Sequence, residues 1–292
     1  MPRLSQVIPY VIETAPPHKG GSRWFFLKLV TEDGLEGWGE AAVLSCFYGL
    51  ENGYQAMVED IFTAHLKGEE ALDRERLFYK LYHKLTQLHP DYSTFGIISA
   101  FDTALWDIAG KYYDTPVYNL LGGKFRDRIR TYSYIYDDSD PRSLRATAAA
   151  WTGNPERLGE LAAEYVDLGF TGLKFDPLVQ NKERLNIQMP WDLPQKELNM
   201  AERTVAAVRD AIGDRADILL GTHGQITPAA ALRFARRIEA QDPLYLEESC
   251  PPANREGMAR LARPTSLPLS TREPPVHHHA FQHPCSAGSW HT

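Results

Sequence analysis

The chain is 292 residues long, 43% hydrophobic, with a formal net charge of −7, enough for one large domain or two ordinary ones around a buried core. The acidic balance argues against nucleic acid or an anionic membrane as the main partner, but not against a small anionic ligand, because a local site can oppose the global charge. Three separated cysteines (Cys46, Cys250, Cys285) without a CxxC pair, no long apolar run, and a start (Met1-Pro-Arg-Leu-Ser5) without a signal-peptide core lead us to expect a reducing cytoplasm, no disulfide framework and no transmembrane helix.

Residues 4–14 pattern as a strand. Residues 24–31 alternate as a second, Asp33-Gly34 supplies a hairpin turn, and residues 36–41 return as a third. Turn-rich loops flank this hairpin at 16–22 and 42–49. Helical periodicity follows at 53–66, 73–86 and 94–113. The last of these is nearly apolar except at Asp102, Asp107 and Lys111, which fits a helix buried on most sides. Gly122-Gly123 closes the region.

Beyond this point short apolar strands alternate with amphipathic helices. The strands are 130–136, 169–175, 217–220, 244–246 and 267–270. Between them lie helices at 156–168, 196–212 and 254–263, and one opened by Thr227-Pro228 as cap and first helical residue. Asp137-Asp-Ser-Asp-Pro141 breaks the first strand, and 180–196 is a long loop of the kind that covers a site. Repeated units of this length predict a parallel sheet with helices outside it. After Glu273 the helix-forming composition collapses. His277, His278, His279 and His283 there either chelate a metal or belong to a tail of unspecified structure.

The densest chemical signal is Leu244-Tyr-Leu-Glu-Glu-Ser-Cys-Pro-Pro252, a short apolar run that ends in two acids and a proline break. Two acids at the mouth of a buried strand are costly unless a cation meets them. Strand C-terminal ends are also where parallel α/β proteins bind ligands. Glu247 is therefore a candidate metal ligand, the alternative being a solvated acidic loop.

Five segments, in order, carry a resemblance. They are Gly37-Trp-Gly-Glu40; Ala104-Leu-Trp-Asp-Ile-Ala-Gly-Lys111 followed by Leu120-Leu-Gly-Gly123; Gly172-Leu-Lys-Phe-Asp-Pro177; Thr222-His-Gly224; and Leu246-Glu-Glu-Ser-Cys-Pro-Pro252. Together they resemble the enolase superfamily in its mandelate racemase and muconate-lactonizing branch, in particular acid-sugar dehydratases of the galactonate and mannonate type. The resemblance runs from residue 1 to residue 273. It implies an α/β protein: an N-terminal α+β capping domain (1–128), a partial (β/α) TIM-like barrel lacking its last strands (129–273), and an aberrant tail (274–292). It also implies one Mg²⁺, held by three carboxylates at successive strand ends. The metal holds the carboxylate of a sugar acid and stabilises an enediolate when a base removes the α-proton.

By this resemblance Glu247 is the second metal ligand and Glu273 the third, with Arg272 standing where the family usually has Gly. Lys174 would meet the substrate carboxylate as an ammonium. Asp176, two residues on and so on the same side of the strand, would be a second basic group. His223 would protonate the leaving hydroxyl. Read without the resemblance, Lys174 and Asp176 are equally an ion pair at a strand end, and His223 a loop histidine capping a helix. In the cap loops His18, Lys19, Arg23, Trp24, Phe47 and Tyr48 are candidate contacts to a polyol acid, or ordinary loop residues.

Two departures stand out. The first metal ligand falls at Gly221, which has no ligand atom. The residues after the cap leave room for about five βα units at roughly 30 residues each, where a full barrel takes about 250 residues. A C-terminally truncated member is therefore expected, without the last strands and the Asp–His pair that serves the family as opposite-face base. The functional expectation is a Mg²⁺-dependent acid-sugar dehydratase-like lyase of the cytoplasm. The alternatives are a catalytically inactive remnant, or a racemase or cycloisomerase on the same scaffold. The expected partner is a small sugar acid, with no nucleic acid and no membrane; a homo-oligomer is left open.

Overall fold

The computed structural model describes residues 1–15, 23–41, 50–87, 91–136, 154–178, 192–251 and 254–270. The chain divides into two units, Met1–Arg128 and Ile129–Thr292. Among the described residues, no helix is long and apolar enough to cross a membrane.

In the first unit β1 (Leu4–Glu13), β2 (Arg23–Thr31) and β3 (Glu36–Ala41) form an antiparallel sheet in that order. The period-two pattern of β2 buries Phe25, Leu27, Leu29 and Thr31 on one face. The β2–β3 turn closes with the Gly34 N–H donating to the Thr31 carbonyl (3.1 Å), and Gly34 takes φ +89°. Helix α1 (Leu50–Ile61) widens into a π-turn at Phe62–Leu66, whose Phe62 and Leu66 are buried. Helices α2 (Arg74–Leu85) and α3 (Tyr92–Tyr112) complete the layer, with a short α4 (Val117–Leu120) after Pro116 that the sequence pattern does not signal.

Helix α3 is capped by Asp91, which accepts from the Thr94 N–H, and it lies directly against β3. Close approach needs small residues on both sides. A Cβ added at Gly37 would lie 2.1 Å from the Ala104 carbonyl oxygen, and one at Gly39 only 1.9 Å from that of Ala100. The three polar exceptions of α3 are each used. Asp102 pairs with Arg74 (2.9 Å). Asp107 accepts the Trp38 N–H (2.9 Å), and Lys111 donates to the Glu36 carbonyl (2.7 Å). Gly39→Ala therefore forces backbone from backbone, and we expect it to cost about 1–3 kcal/mol, as overpacking does. Gly53→Ala in α1, where the nearest atom would be 3.7 Å away, should instead stabilise by about 0.5–1 kcal/mol. Urea denaturation of the two variants checks both signs.

The second unit holds a parallel sheet in sequence order: β4 (Ser133–Tyr134), β5 (Gly172–Phe175), β6 (Asp217–Gly221), β7 (Tyr245–Glu247) and β8 (Leu269–Ser270). Helices α5 (Pro155–Asp167), α6 (Gln195–Ile212), α7 (Pro228–Ile238) and α8 (Arg255–Ala262) alternate with the strands. This is the partial (β/α) barrel expected. Leu173, Phe175, Ile218, Leu220, Leu246 and Leu269 share one core with Leu158, Val205, Val208 and Phe234 of the helices. That leaves the alternate positions, Lys174 and Gly221 among them, for the other face of the sheet. Thr227 caps α7 by accepting the Ala230 N–H, with Pro228 as its first residue.

Three strands are shorter than expected: 169–175 pairs only over Gly172–Phe175, 267–270 only over Leu269–Ser270, and 130–136 is cut back most. The run 130–136 contributes only Ser133–Tyr134 to the ladder, and Ile135 adds one bond to the Lys174 carbonyl (2.9 Å). Arg130 instead uses its side chain, donating to the Thr171 hydroxyl (2.8 Å) and pairing with Asp217 (2.6 Å). A long cation that reaches across two neighbouring strand starts takes the place of backbone pairing there.

Candidate active site

The C-terminal ends of β5, β6 and β7 bring four of the singled-out residues together. Lys174 lies on β5 and Asp176 just after it, His223 follows β6, and Glu247 ends β7. Parallel pairing sets Gly221 beside Glu247, with Lys174 opposite Leu219 one strand away.

Lys174 and Glu247 are 2% and 5% exposed. Lys174 Nζ meets Glu247 Oε2 in a buried ion pair. The acid that looked costly at a strand mouth thus finds its cation within the same chain. Gly221 lines this pair: a Cβ there would lie 2.8 Å from Lys174 Cε and 3.7 Å from Glu247 Oε2.

Asp176 is fully buried. Its Oδ1 accepts the Leu178 N–H (2.8 Å), while Oδ2 accepts from Gln225 Nε2 (2.7 Å) and sits 3.1 Å from His223 Nδ1. The imidazole is anchored at one nitrogen, yet its side chain is 48% exposed. His223 also adopts φ +51°, with Gly224 at +65° and Glu248 across from them at +50°. Left-handed backbone at non-glycine residues costs about 1–3 kcal/mol each and persists only where the surroundings impose it. Here Thr222 imposes it. Buried, it donates its N–H (3.0 Å) and hydroxyl (3.0 Å) to the Glu247 carbonyl. The hydroxyl also reaches the Glu248 carbonyl (2.8 Å), which in turn accepts the Gly224 N–H (2.8 Å).

Three further residues complete the cluster without having been singled out. Thr222 and Gln225 hold the His223 turn, and Tyr134 lies on β4. The Tyr134 hydroxyl is buried, with no hydrogen-bond partner among the described residues. Burial first, and then the negative charge of Asp176, push its pKa up, so the phenol stays neutral. The alternation Tyr132-Ser-Tyr-Ile-Tyr136, which sets three tyrosines on one strand face, was the signal available for it. For Cys250, also nearby in sequence, burial, and then Glu248, push the thiol up to about 11, which disfavours the thiolate.

Arg23 and Trp24 lie in the first unit. Arg23 pairs with Glu51 (2.5 Å), and Trp24 stacks on Phe26 at 6.3 Å between centroids. His18, Lys19, Phe47, Tyr48, Arg272, Glu273 and the histidines of the tail lie outside the described residues.

The donor set bears on the expected Mg²⁺. That ion demands several hard oxygen ligands in near-octahedral array. Of the three carboxylate positions, Gly221 supplies no atom, Glu247 is occupied by an ammonium, and Glu273 is not described. Among the described residues no group of three His, Cys, Asp or Glu side chains can hold a metal ion. The described residues do not fit a Mg²⁺ site.

Residues 6–122 match the family described as mandelate racemase / muconate lactonizing enzyme, N-terminal domain, and residues 157–291 the one described as enolase C-terminal domain-like. The chain is 30% identical over 259 residues to a D-xylonate dehydratase of Haloferax volcanii, covering 87% of this chain and 57% of that protein. It is 30% identical over 277 residues to a D-gluconate dehydratase of Thermoproteus tenax, covering 94% and 50%. A crystal structure from Labrenzia alexandrii, described as of the mandelate racemase/muconate lactonizing enzyme type, superposes with a TM-score of 0.88 at 36% identity, over 99% of this chain and 73% of the other. The chain thus spans about half of the length of these curated relatives.

Proposed function

The chain belongs to the mandelate racemase / muconate lactonizing enzyme family, and from that membership we propose that the strand ends of its barrel unit form a sugar-acid site of the dehydratase type. The observation that carries this reading is the His223–Asp176 pair. Dehydration removes the α-proton to a base and the β-hydroxyl as water; His223–Asp176 bears on the second part, which requires a proton at the departing oxygen because hydroxide is a poor leaving group. A histidine is suited to deliver it near neutral pH. Asp176 accepts from Nδ1–H and fixes the ring, which leaves Nε2 for the transfer. Gln225 holds the same carboxylate oxygen, so Asp176 cannot turn away. The exposed half of the imidazole is the face a ligand reaches. Asp176 itself, fully buried and hydrogen-bonded three times, orients rather than touches substrate. Lys174 supplies fixed positive charge to the floor of the site, partly spent on Glu247.

The relatives named above act on D-xylonate and D-gluconate by their names, and polyhydroxy acids of that class are the substrates we assign. Incubation of the full chain with a panel of such acids, with assay for the 2-keto-3-deoxy product, tests the reading. Product from at least one acid supports it, and none from any acid overturns it. A second reading, a member that binds such acids without converting them, is favoured by Gly221. Saturable binding of an acid without product is its signature.

A further inference from the structure

We propose that Lys174 is the resident cation of this site: its ammonium sits beside Glu247 in place of a divalent metal, and Gly221 is the residue that makes room for it.

The inference starts from a coincidence at one point in the fold. The family position that should carry a carboxylate carries glycine, and the space is not left open. The end of the Lys174 side chain fills it, so that a Cβ at position 221 would collide with Cε at 2.8 Å. Lysine and glycine are therefore matched. An acid at 221 would force Lys174 out of its place. Lys174 in its place leaves no volume for an acid at 221. The same ammonium pairs with the ligand that remains, Glu247.

Charge leads to the same conclusion. A carboxylate only 5% exposed is tolerated if a cation compensates it. A metal is the usual solution at such strand ends, and an ammonium is another. Here the ammonium sits directly on the Glu247 oxygen that a divalent ion would need, and two cations on one oxygen repel strongly in a low dielectric. Both partners are buried, 3% and 6% exposed by side chain. Among the described residues, Asp176 and Tyr134 do not supply the missing ligands. Asp176 is committed to Leu178, Gln225 and His223, and Tyr134 is held neutral. An ammonium is a poorer electrophile than a divalent ion and cannot chelate. A site built this way orients a polyhydroxy acid by single charge-assisted hydrogen bonds rather than by bidentate coordination.

The inference stands on the geometry at Gly221 and not on the dehydratase reading, and its test does not need turnover. Mn²⁺ is titrated into the full chain, shown by circular dichroism to be folded, and followed by calorimetry and by electron paramagnetic resonance of the free ion. The wild-type chain should show no saturable site in the micromolar range. The double variant Gly221→Asp/Lys174→Ala, which restores the acid and removes the competing cation, should bind Mn²⁺ at least about tenfold more tightly, a span typical of what a metal site's surroundings control. Glu247→Gln added to that background should remove the gain. Micromolar Mn²⁺ binding by the wild-type chain that Glu247→Gln weakens about tenfold overturns the proposal. So does a folded double variant that gains nothing. If the double variant does not fold, the wild-type titration decides alone. Failure of sugar-acid turnover counts against the proposed function and leaves the metal result untouched.

Discussion

Lys174→Met lowers the stability of the chain by about 3–5 kcal/mol, the cost of leaving one partner of a buried ion pair without the other. The substitution keeps most of the volume of the side chain, so packing around Gly221 changes little and the loss reports charge. Glu247→Leu should cost a similar amount for the mirror-image reason. The double variant Lys174→Met/Glu247→Leu is the decisive member of the cycle. With both charges gone and apolar side chains in contact, most of the stability should return, because replacing a buried pair by hydrophobic groups is often neutral or stabilising. Urea unfolding of the four proteins gives the coupling energy. A double variant as unstable as the sum of the two singles would mean that Lys174 and Glu247 do not compensate each other. The pair is 73 residues apart in sequence, so the cycle also probes whether β5 and β7 unfold together.

His223→Asn lowers the rate of product formation by about 10²–10⁴-fold, the contribution typical of a positioned general acid, and costs about 1–3 kcal/mol of stability if the buried Asp176 loses this partner. Asparagine is the informative replacement because His223 sits at φ +51°, a region that asparagine enters more readily than most residues. The backbone turn survives, and the acid is lost together with its contact to Asp176. Asp176→Asn should lower the rate within the same range, by presenting an amide N–H where Nδ1 needs an acceptor and so favouring the wrong tautomer. The two effects should not add, since Asp176 acts through His223. A comparison of kcat with KM across the single and double variants checks this. An Asp176→Asn protein with normal kcat and raised KM would place Asp176 in binding rather than in ring positioning.

Much of the fold was legible because its rules are local. The alternation of Phe25, Leu27 and Leu29, the Asp33-Gly34 turn and the Thr227-Pro228 helix start each depend on residues within a few positions of one another. The order of strands follows from βα units too short to do anything but lie side by side. The strand at 130–136 was over-read because its apolar alternation continues past the point where Arg130 replaces backbone pairing with its side chain. Periodicity cannot register that event. In the same way Gly37 and Gly39 look like ordinary strand-weakening glycines until α3 is seen to press its carbonyls against them.

The site divides along the same line. Glu247 could be picked out from type and position at a strand end, whereas Lys174, Asp176 and His223 were singled out by the family resemblance. Their partners could not, because a strand end does not state which neighbour it will meet. Whether Lys174 would pair with Asp176, two residues away, or with Glu247, on another strand, is settled by the register of β5, β6 and β7. That register hands Asp176 to His223 and Gln225, and Lys174 to Glu247. Tyr134 enters the cluster only because β4 pairs with β5.

By itself the amino-acid sequence determined the two-part architecture, the strand order, the family and the absence of a ligand atom at residue 221. These follow from hydrophobic period, turn chemistry and residue identity, all of which are properties of short stretches. Only the tertiary structure decided what fills the space beside that glycine and which acid each cation serves. Those are long-range contacts between buried charges, whose choice of partner depends on ångström-scale distances that no local pattern encodes.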